Sequence, residues 1–151
     1  MDKKQLCDFV KALNPDAEVK EGRQYAEVTV AAGSFHSLAK ELKENKETHF
    51  DYLVCLSGVD YGTELGVVCH LNSTKYGHML VLKTRAAGRE NPVLDSLTDI
   101  WATAEYHERE VYDLLGIKFN NHPDLRRLFL DSSWGYPLRK DYVDDINIVS
   151  K

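Results

Sequence analysis

The spacing of apolar residues predicts two amphipathic helices and one strand in the first third of the chain. In residues 6–13 apolar side chains recur three or four positions apart, which predicts a helix that ends at Asn14-Pro15. Residues 33–42 repeat this spacing, and Ser34 is the predicted N-cap of the second helix. Apolar and polar side chains alternate in residues 25–30, which predicts a strand with one buried face.

Three β-rich runs follow, at residues 50–60, 65–72 and 78–84. The linkers between them are short and each contains a glycine, which leaves no room for a helical crossover and favours antiparallel hairpins. Together with the flanking helices, this order of elements predicts an α+β fold. We expect a two-layer domain in which helices pack on a mostly antiparallel mixed sheet of about four strands.

A last helix is predicted between Asn91-Pro92 and Gly116, with Gly116 at the C-terminal cap and a break near residues 102–104. Beyond it, aromatic and aliphatic residues are frequent but follow neither a helical nor a strand period. A long irregular segment of this kind is uncommon in a compact chain unless it is functional. We therefore predict an α+β domain at residues 1–116 and an extended C-terminal docking arm at residues 117–151.

The composition argues against several classes of protein. A net charge of −5 over 151 residues argues against nucleic-acid binding, which needs a dense basic surface. Cys7, Cys55 and Cys69 lie too far apart for a zinc pair or a redox dithiol and are too few for an iron–sulfur cluster. We expect them to be small buried side chains in a reducing compartment. Because no signal peptide and no bilayer-spanning apolar run is visible, we expect an intracellular chain that reaches a membrane only through a partner.

Ionisable residues are densest around the end of the last helix, and three interpretations of this block compete. Glu105 and Glu108 could be catalytic carboxylates, but such pairs normally face each other across a cleft rather than share one helix face. His107, Glu110 and His122 are available metal ligands, but the zinc-protease helix motif needs a second histidine four positions after the first, which is missing. The third interpretation is structural.

Glu108 is the residue on which the structural interpretation depends. At about 100° per residue it falls in the middle of an apolar stripe on the predicted helix, formed by Trp101, Ala104, Val111 and Leu115. A buried carboxylate needs a partner, because an isolated buried charge costs several kcal/mol. We therefore predict that Glu108 is buried and paired with an arginine of the later segment, with Arg126 or Arg127 favoured over Arg139.

Three stretches of this region together resemble the signature of one protein family. They are YHEREVYDLLGIKF at residues 106–119, NHPDLRRL at residues 121–128 and PLRKDY at residues 137–142. In order and spacing they are similar to the 30 kDa (C-type) subunit of proton-pumping NADH:quinone oxidoreductase (respiratory complex I). Residues 50–61 and the hairpin strands also resemble this family, so that the resemblance covers about residues 25–142.

The resemblance implies a structural subunit in the hydrophilic arm of the parent oxidoreductase, a translocase, attached peripherally on the cytoplasmic side of the inner membrane. Such a subunit has no catalytic, cofactor-binding or metal-binding residue of its own, whereas FMN and the iron–sulfur clusters reside in partner subunits. It braces the subunits that carry the terminal cluster and the quinone site while electron transfer drives ion pumping. An equivalent subunit of an energy-converting hydrogenase, or of another complex-I-like oxidoreductase with a different donor, is an alternative. A stand-alone protein-binding module is a further one.

The predicted site is a set of structural and interface residues. In this chain Tyr136 stands where the family usually has a histidine, and Asn121 where it usually has a glycine. The stretch from Trp134 to Tyr142 is predicted to contact partner subunits, with Tyr136 and Arg139 among its anchors. The full predicted set comprises Glu105, Glu108, Arg109, Glu110, His122, Pro123, Arg126, Arg127, Trp134, Tyr136, Arg139, Lys140 and Tyr142.

Overall fold

A computed structural model of the chain describes residues 1–144. Its helices and strands follow in the order α1 (Lys3–Leu13), β1 (Glu18–Glu21), β2 (Ala26–Ala31), α2 (Ala32–Glu44), β3 (Tyr52–Asp60), β4 (Leu65–Asn72), β5 (Met79–Ala86), β6 (Val93–Asp95), α3 (Ala104–Leu115) and β7 (Lys118–Asn120). The predicted α+β fold is confirmed. The last seven residues of the predicted arm lie outside the described residues.

The main sheet is mixed and mostly antiparallel, as predicted. Its five strands lie in the order β1-β2-β5-β4-β3, and only the pairing of β2 with β5 is parallel. The additional strand is β1, an edge strand whose sequence Glu-Val-Lys-Glu has no apolar alternation by which it could be recognised. Strands β6 and β7 form a separate parallel pair.

The buried core lies between one face of the main sheet and the three helices. In β4, every second residue from Leu65 to Leu71 is buried in this core. Helix α1 packs on β1 and β2, α2 on β2 and β5, and α3 on β3. Gly58 of β3 permits the close approach of α3, because a Cβ atom at this position would collide with the side chain of Leu115. The opposite face of the sheet faces away from all three helices.

The last predicted helix is much shorter than expected. Residues 93–95 form strand β6, because they pair in parallel with residues 118–120, and α3 begins only at Ala104. The prediction of a helix from Asn91-Pro92 was therefore wrong. Gly116 does end α3, since it adopts the left-handed conformation with a φ of 77° and donates its N–H to the Tyr112 carbonyl at 2.9 Å.

The cap predicted for the second helix is also wrong. Strand β2 leads directly into α2 without a linker, so that Ala31 occupies the N-cap position and Ser34 lies inside the first turn. No side chain caps this end of α2. The first helix follows its prediction more closely, because it ends at Leu13 and Asn14 is its C-cap.

The cysteines follow their prediction in part. Cys7 and Cys69 are buried, whereas Cys55 on β3 is only half-buried, and all three thiols are free. Among the helices that residues 1–144 form, none combines the length and the apolar character that crossing a bilayer would require.

Candidate subunit interface around helix α3 and the C-terminal arm

Helix α3 carries charged side chains on two different sides. Glu108 and Asp113 are completely buried and Arg109 is nearly so, whereas Glu105 is half-buried and Glu110 is exposed. Five residues correspond to about 140° around a helix, so that Glu108 and Asp113 point in clearly different directions. Each buried carboxylate therefore has its own set of partners.

Glu108 is buried as predicted, but its predicted arginine partner is wrong. Its carboxylate accepts a hydrogen bond from the Ser96 hydroxyl at 2.7 Å and another from the Leu97 N–H at 2.7 Å. The loop after β6 supplies both donors, whereas Arg126 and Arg127 bind elsewhere. Burial raises the pKa of Glu108 to about 7, which the two donors only partly offset and the charge of Asp99 reinforces.

His122 is held by two hydrogen bonds that use both ring nitrogens. Nε2 bonds to the Glu105 carbonyl oxygen at 3.0 Å, and Nδ1 accepts from the Asp124 N–H at 3.0 Å. This arrangement fits the neutral ring with its proton on Nε2, which lies 3.8 Å from the Glu108 carboxylate. Pro123 follows in the exposed turn. Within residues 1–144, no three or more histidine, cysteine or acidic side chains are arranged to hold a metal ion.

Of the two buried carboxylates of α3, Asp113 is the one that accepts hydrogen bonds from the arm. One of its oxygens accepts from Arg127 at 3.3 Å, and the other accepts from the N–H groups of Phe129 and Leu130 at 2.7 and 3.1 Å. Arg127 also donates to the Trp134 and Gly135 carbonyl oxygens at 2.6 and 3.0 Å, which fixes a turn of the arm.

Arg109 supports the same side of α3 from one helical turn earlier. It donates to the backbone carbonyl oxygens of Arg126 and Arg127 at 3.3 and 3.0 Å. Its spacing of four residues from Asp113 places both side chains on one helix face, which is the signal in the sequence that could have identified Asp113. The Arg126 side chain itself is exposed and pairs with Asp124 at the surface.

Tyr136 and Arg139 close the arm over the C-terminal end of α3. Arg139 donates from Nε to the Leu115 carbonyl oxygen at 2.6 Å. Its positive charge also interacts favourably with the negative C-terminal end of the helix dipole. The guanidinium groups of Arg127 and Arg139 both lie over the Tyr136 ring, at centroid distances of 5.0 and 4.9 Å. A Cβ atom at Gly116 would lie 2.7 Å from this ring, so that glycine is required there for two reasons.

The end of the described arm is tied to the main sheet by an ion pair that the sequence did not reveal. Asp60, the last residue of β3, accepts from Arg89 at 2.5 and 2.8 Å and from the Lys140 N–H at 2.8 Å. Arg89 also binds Asp141 at 3.0 Å, and its own carbonyl oxygen accepts from the Arg139 guanidinium at 3.0 Å. The hydrogen bonds from Arg89 hold the pKa of Asp60 well below its usual range.

Comparison with known proteins identifies a family that the chain matches. Residues 28–145 match the family described as respiratory-chain NADH dehydrogenase, 30 Kd subunit. The chain belongs to this family. A similar protein in Azoarcus sp., the C-type subunit of NADH-quinone oxidoreductase, is 38% identical over 147 residues, which is 91% of this chain and 70% of that protein.

Other relatives of this 30 kDa subunit are longer proteins. The fused C/D-type subunit of NADH-quinone oxidoreductase in Phocaeicola vulgatus is 48% identical over 122 residues, which cover 80% of this chain but 23% of that protein. For the C-type subunit of Chloroherpeton thalassium the identity is 45%, over 72% of this chain and 46% of that protein. The chain therefore spans about a quarter to a half of these two relatives.

The fold is also that of a chain in a solved membrane complex. A chain of the membrane-bound sulfane sulfur reductase, an archaeal respiratory membrane complex, superimposes with a TM-score of 0.80 and 25% sequence identity. The match covers 95% of this chain and 86% of that chain.

In this member of the 30 kDa subunit family, the outer surface of the arm carries several exposed apolar side chains. Phe129 is 68% exposed, Leu138 is 61% exposed and Trp134 is 39% exposed. Leu138 also lines a groove of about 140 Å³ between α3 and β3, with Glu110 at its side and Leu56, Val111 and Leu114 among its walls. Tyr142, by contrast, is half-buried and its N–H bonds to the Arg139 carbonyl oxygen at 3.1 Å.

The predicted site residues thus fall into two groups. Glu108, Arg109, Arg127, Tyr136 and Arg139 make contacts within the chain, as described above. The exposed group includes Trp134, which was predicted, and also Phe129 and Leu138, which sequence reasoning did not select because exposure cannot be read from an irregular segment. Partner contact stays a prediction for all of the anchors of this stretch, namely Trp134, Tyr136, Arg139, Lys140 and Tyr142.

Proposed function

We propose that this chain is a structural subunit of the hydrophilic arm of an NADH:quinone oxidoreductase, where it braces the subunits that carry the terminal cluster and the quinone site. The observation that carries the proposal is the rigid attachment of an arm that exposes large apolar side chains to solvent. Asp113 and Asp60 accept hydrogen bonds from backbone N–H groups of the arm, and the Arg139 side chain of the arm donates to the Leu115 carbonyl oxygen of α3. Phe129, Trp134 and Leu138 are thereby held facing outward, as an interface requires.

The partner that this proposal favours is a protein equivalent to the D portion of the fused relatives. In Phocaeicola vulgatus a protein named as a C/D fusion contains a segment similar to this chain within one polypeptide. Two proteins that occur fused in one species commonly bind each other where they are separate. We propose attachment to the cytoplasmic side of the membrane through such partners, without insertion of this chain and without a nucleic-acid partner.

The similarity to a chain of the sulfane sulfur reductase supports a second candidate. In this alternative the chain is the equivalent subunit of a complex-I-like oxidoreductase with an electron donor other than NADH. The bracing role would be the same in both, because it depends on the arm and not on the donor. Purification of the native assembly and assay of its donor separates the two candidates.

Replacing Phe129 and Leu138 together by serine should prevent incorporation of the chain into the membrane-bound assembly. Both side chains are largely exposed, so that the isolated double variant should unfold at nearly the same temperature as the wild type. The measurement is the amount of chain that co-purifies with partner subunits from native membranes. Leu13→Ser is the matched control, since Leu13 is 38% exposed on α1, away from the arm. Normal incorporation of the double variant would contradict the proposal.

The purified chain should contain no stoichiometric metal or flavin. The proposal places FMN and the iron–sulfur clusters in partner subunits, and the three cysteines are distributed over α1, β3 and β4 rather than gathered at one site. Elemental analysis and the visible absorption spectrum are the measurements. About one metal ion per chain after purification under reducing, anaerobic conditions would contradict this part of the proposal.

A further inference from the structure

A thiol and an imidazole face each other on the side of the main sheet that the helices leave uncovered. Cys55 of β3 and His70 of β4 are directly opposite each other in the antiparallel register. Their neighbours Leu56 and Cys69, also opposite each other, point to the buried core, so that Cys55 and His70 point away from it. The Cys55 Sγ and His70 Nδ1 atoms are 3.4 Å apart, within hydrogen-bonding distance for sulfur.

The imidazole is positioned to accept the thiol proton and pass it to water. The Tyr25 ring packs edge-on against His70, with a centroid distance of 6.4 Å, and restricts the orientation of the imidazole. Among the residues that the structure describes, nothing hydrogen-bonds to the His70 Nε2 atom, and this nitrogen is not buried. Nε2 is therefore open to proton exchange with solvent while Nδ1 faces the sulfur.

The Cys55 thiol is also the most accessible of the three. It lies on an edge strand, at a β-bulge between Leu53 and Cys55, and neighbouring Tyr52 and Val54 are 48% and 39% exposed. Burial raises the pKa of Cys69 and of Cys7, which keeps both of those thiols protonated and unreactive. Because Cys69 points to the opposite face of the sheet, it is not placed to form a disulfide with Cys55.

We propose that Cys55 and His70 form a thiol–imidazole pair at which the protein undergoes mixed-disulfide formation with low-molecular-weight disulfides such as oxidised glutathione. In this exchange the Cys55 proton passes to His70 Nδ1, and the Cys55 sulfur attacks one sulfur of the disulfide. One S–S bond breaks and one forms, and the departing thiolate takes up a proton. No other oxidant or reductant is required, and an excess of a reduced thiol reverses the reaction.

The test is the rate at which the full-length folded chain gains one glutathionyl group from oxidised glutathione at about pH 7, followed by intact mass and peptide mapping. We expect Cys55 to be modified faster than Cys7 and Cys69. The Cys55→Ser variant should lack this fast modification. His70→Gln should slow it by about threefold or more, because the variant removes the imidazole that accepts the Cys55 proton as the sulfur attacks.

His107→Gln provides the matched control, since it removes an imidazole from α3, which packs on the face of the sheet opposite to Cys55. Thermal unfolding of each variant checks that the sheet is intact, and iodoacetamide provides a second probe that does not depend on a disulfide. An unchanged Cys55 rate in folded His70→Gln with both probes would overturn the proposal. So would faster modification of Cys7 or Cys69 than of Cys55.

Discussion

Asp113→Ala should lower the free energy of unfolding by about 3–5 kcal/mol, the cost typical of removing one partner from a buried ion pair. The Asp113 carboxylate is completely buried, and its two oxygens accept hydrogen bonds from Arg127 and from the N–H groups of Phe129 and Leu130. Alanine would leave the guanidinium and two backbone donors without this acceptor. Urea unfolding followed by circular dichroism measures the change.

The matched control is an aspartate–arginine pair on the surface of the same region. Asp124 and Arg126 are 2.9 Å apart, with side chains that are 50% and 68% exposed. Solvent screens such a pair, so that Asp124→Ala should leave the free energy of unfolding nearly unchanged. If Asp113→Ala is as mild as Asp124→Ala, Asp113 does not hold the arm and the attachment described above is wrong.

The elements with a clear period were the ones that the sequence predicted well. Apolar residues recurring three or four positions apart placed α1 and α2, and short glycine-containing linkers placed the β3–β4–β5 hairpins. The C-terminal cap at Gly116 was also predictable, because a left-handed residue after a helix is usually glycine. Strands β6 and β7 were missed because each has three residues, too few to show alternation, and they pair only through the fold.

The site was predictable only where burial follows from helical position. Glu108 lies within the apolar stripe of α3, so that its burial could be predicted from spacing alone. Its partners Ser96 and Leu97 could not, because they depend on the path of an irregular loop that was expected to be helix. The Asp60–Arg89 pair joins the end of a strand to a loop 29 residues later and has no local pattern.

The correct partners change what Glu108 contributes to stability. A guanidinium partner would have stabilised the ionised carboxylate, whereas a hydroxyl and one N–H in a buried site do so only weakly. Asp99, a negative charge that acts on it, is paired with His36 of α2 at 2.9 Å, and His122 approaches from the turn after β7. The charge of this carboxylate in turn raises the pKa of the buried Cys69 thiol of β4, after the larger effect of burial. Glu108 therefore keeps its proton to a higher pH in the folded chain than in the unfolded chain.

Glu108→Gln should make the protein more stable than the wild type above about pH 7 and remove a pH dependence that the wild type shows. The pKa of Glu108 is about 7 in the folded chain and near the ordinary value of 4.5 when unfolded. Between these values the folded state holds a proton that the unfolded state has released, so that wild-type stability falls as pH rises through this window. The full difference corresponds to about 3 kcal/mol, at about 1.4 kcal/mol per pH unit.

Glutamine fits the site because the Ser96 hydroxyl can accept a hydrogen bond from residue 108 instead of donating one. Ser96 Oγ lies 2.8 Å from Thr98 Oγ1, so that it can donate there while it accepts from the glutamine amide, as it would from a protonated Glu108. The measurement is urea unfolding of wild type and variant between about pH 5 and pH 8, read as the difference between the two proteins at each pH. Taking the difference largely removes the contributions of the other groups, which both proteins share. If the stability difference between the two proteins is the same at every pH in this range, Glu108 is ionised throughout. That result would contradict the raised pKa and would favour a paired, charged carboxylate.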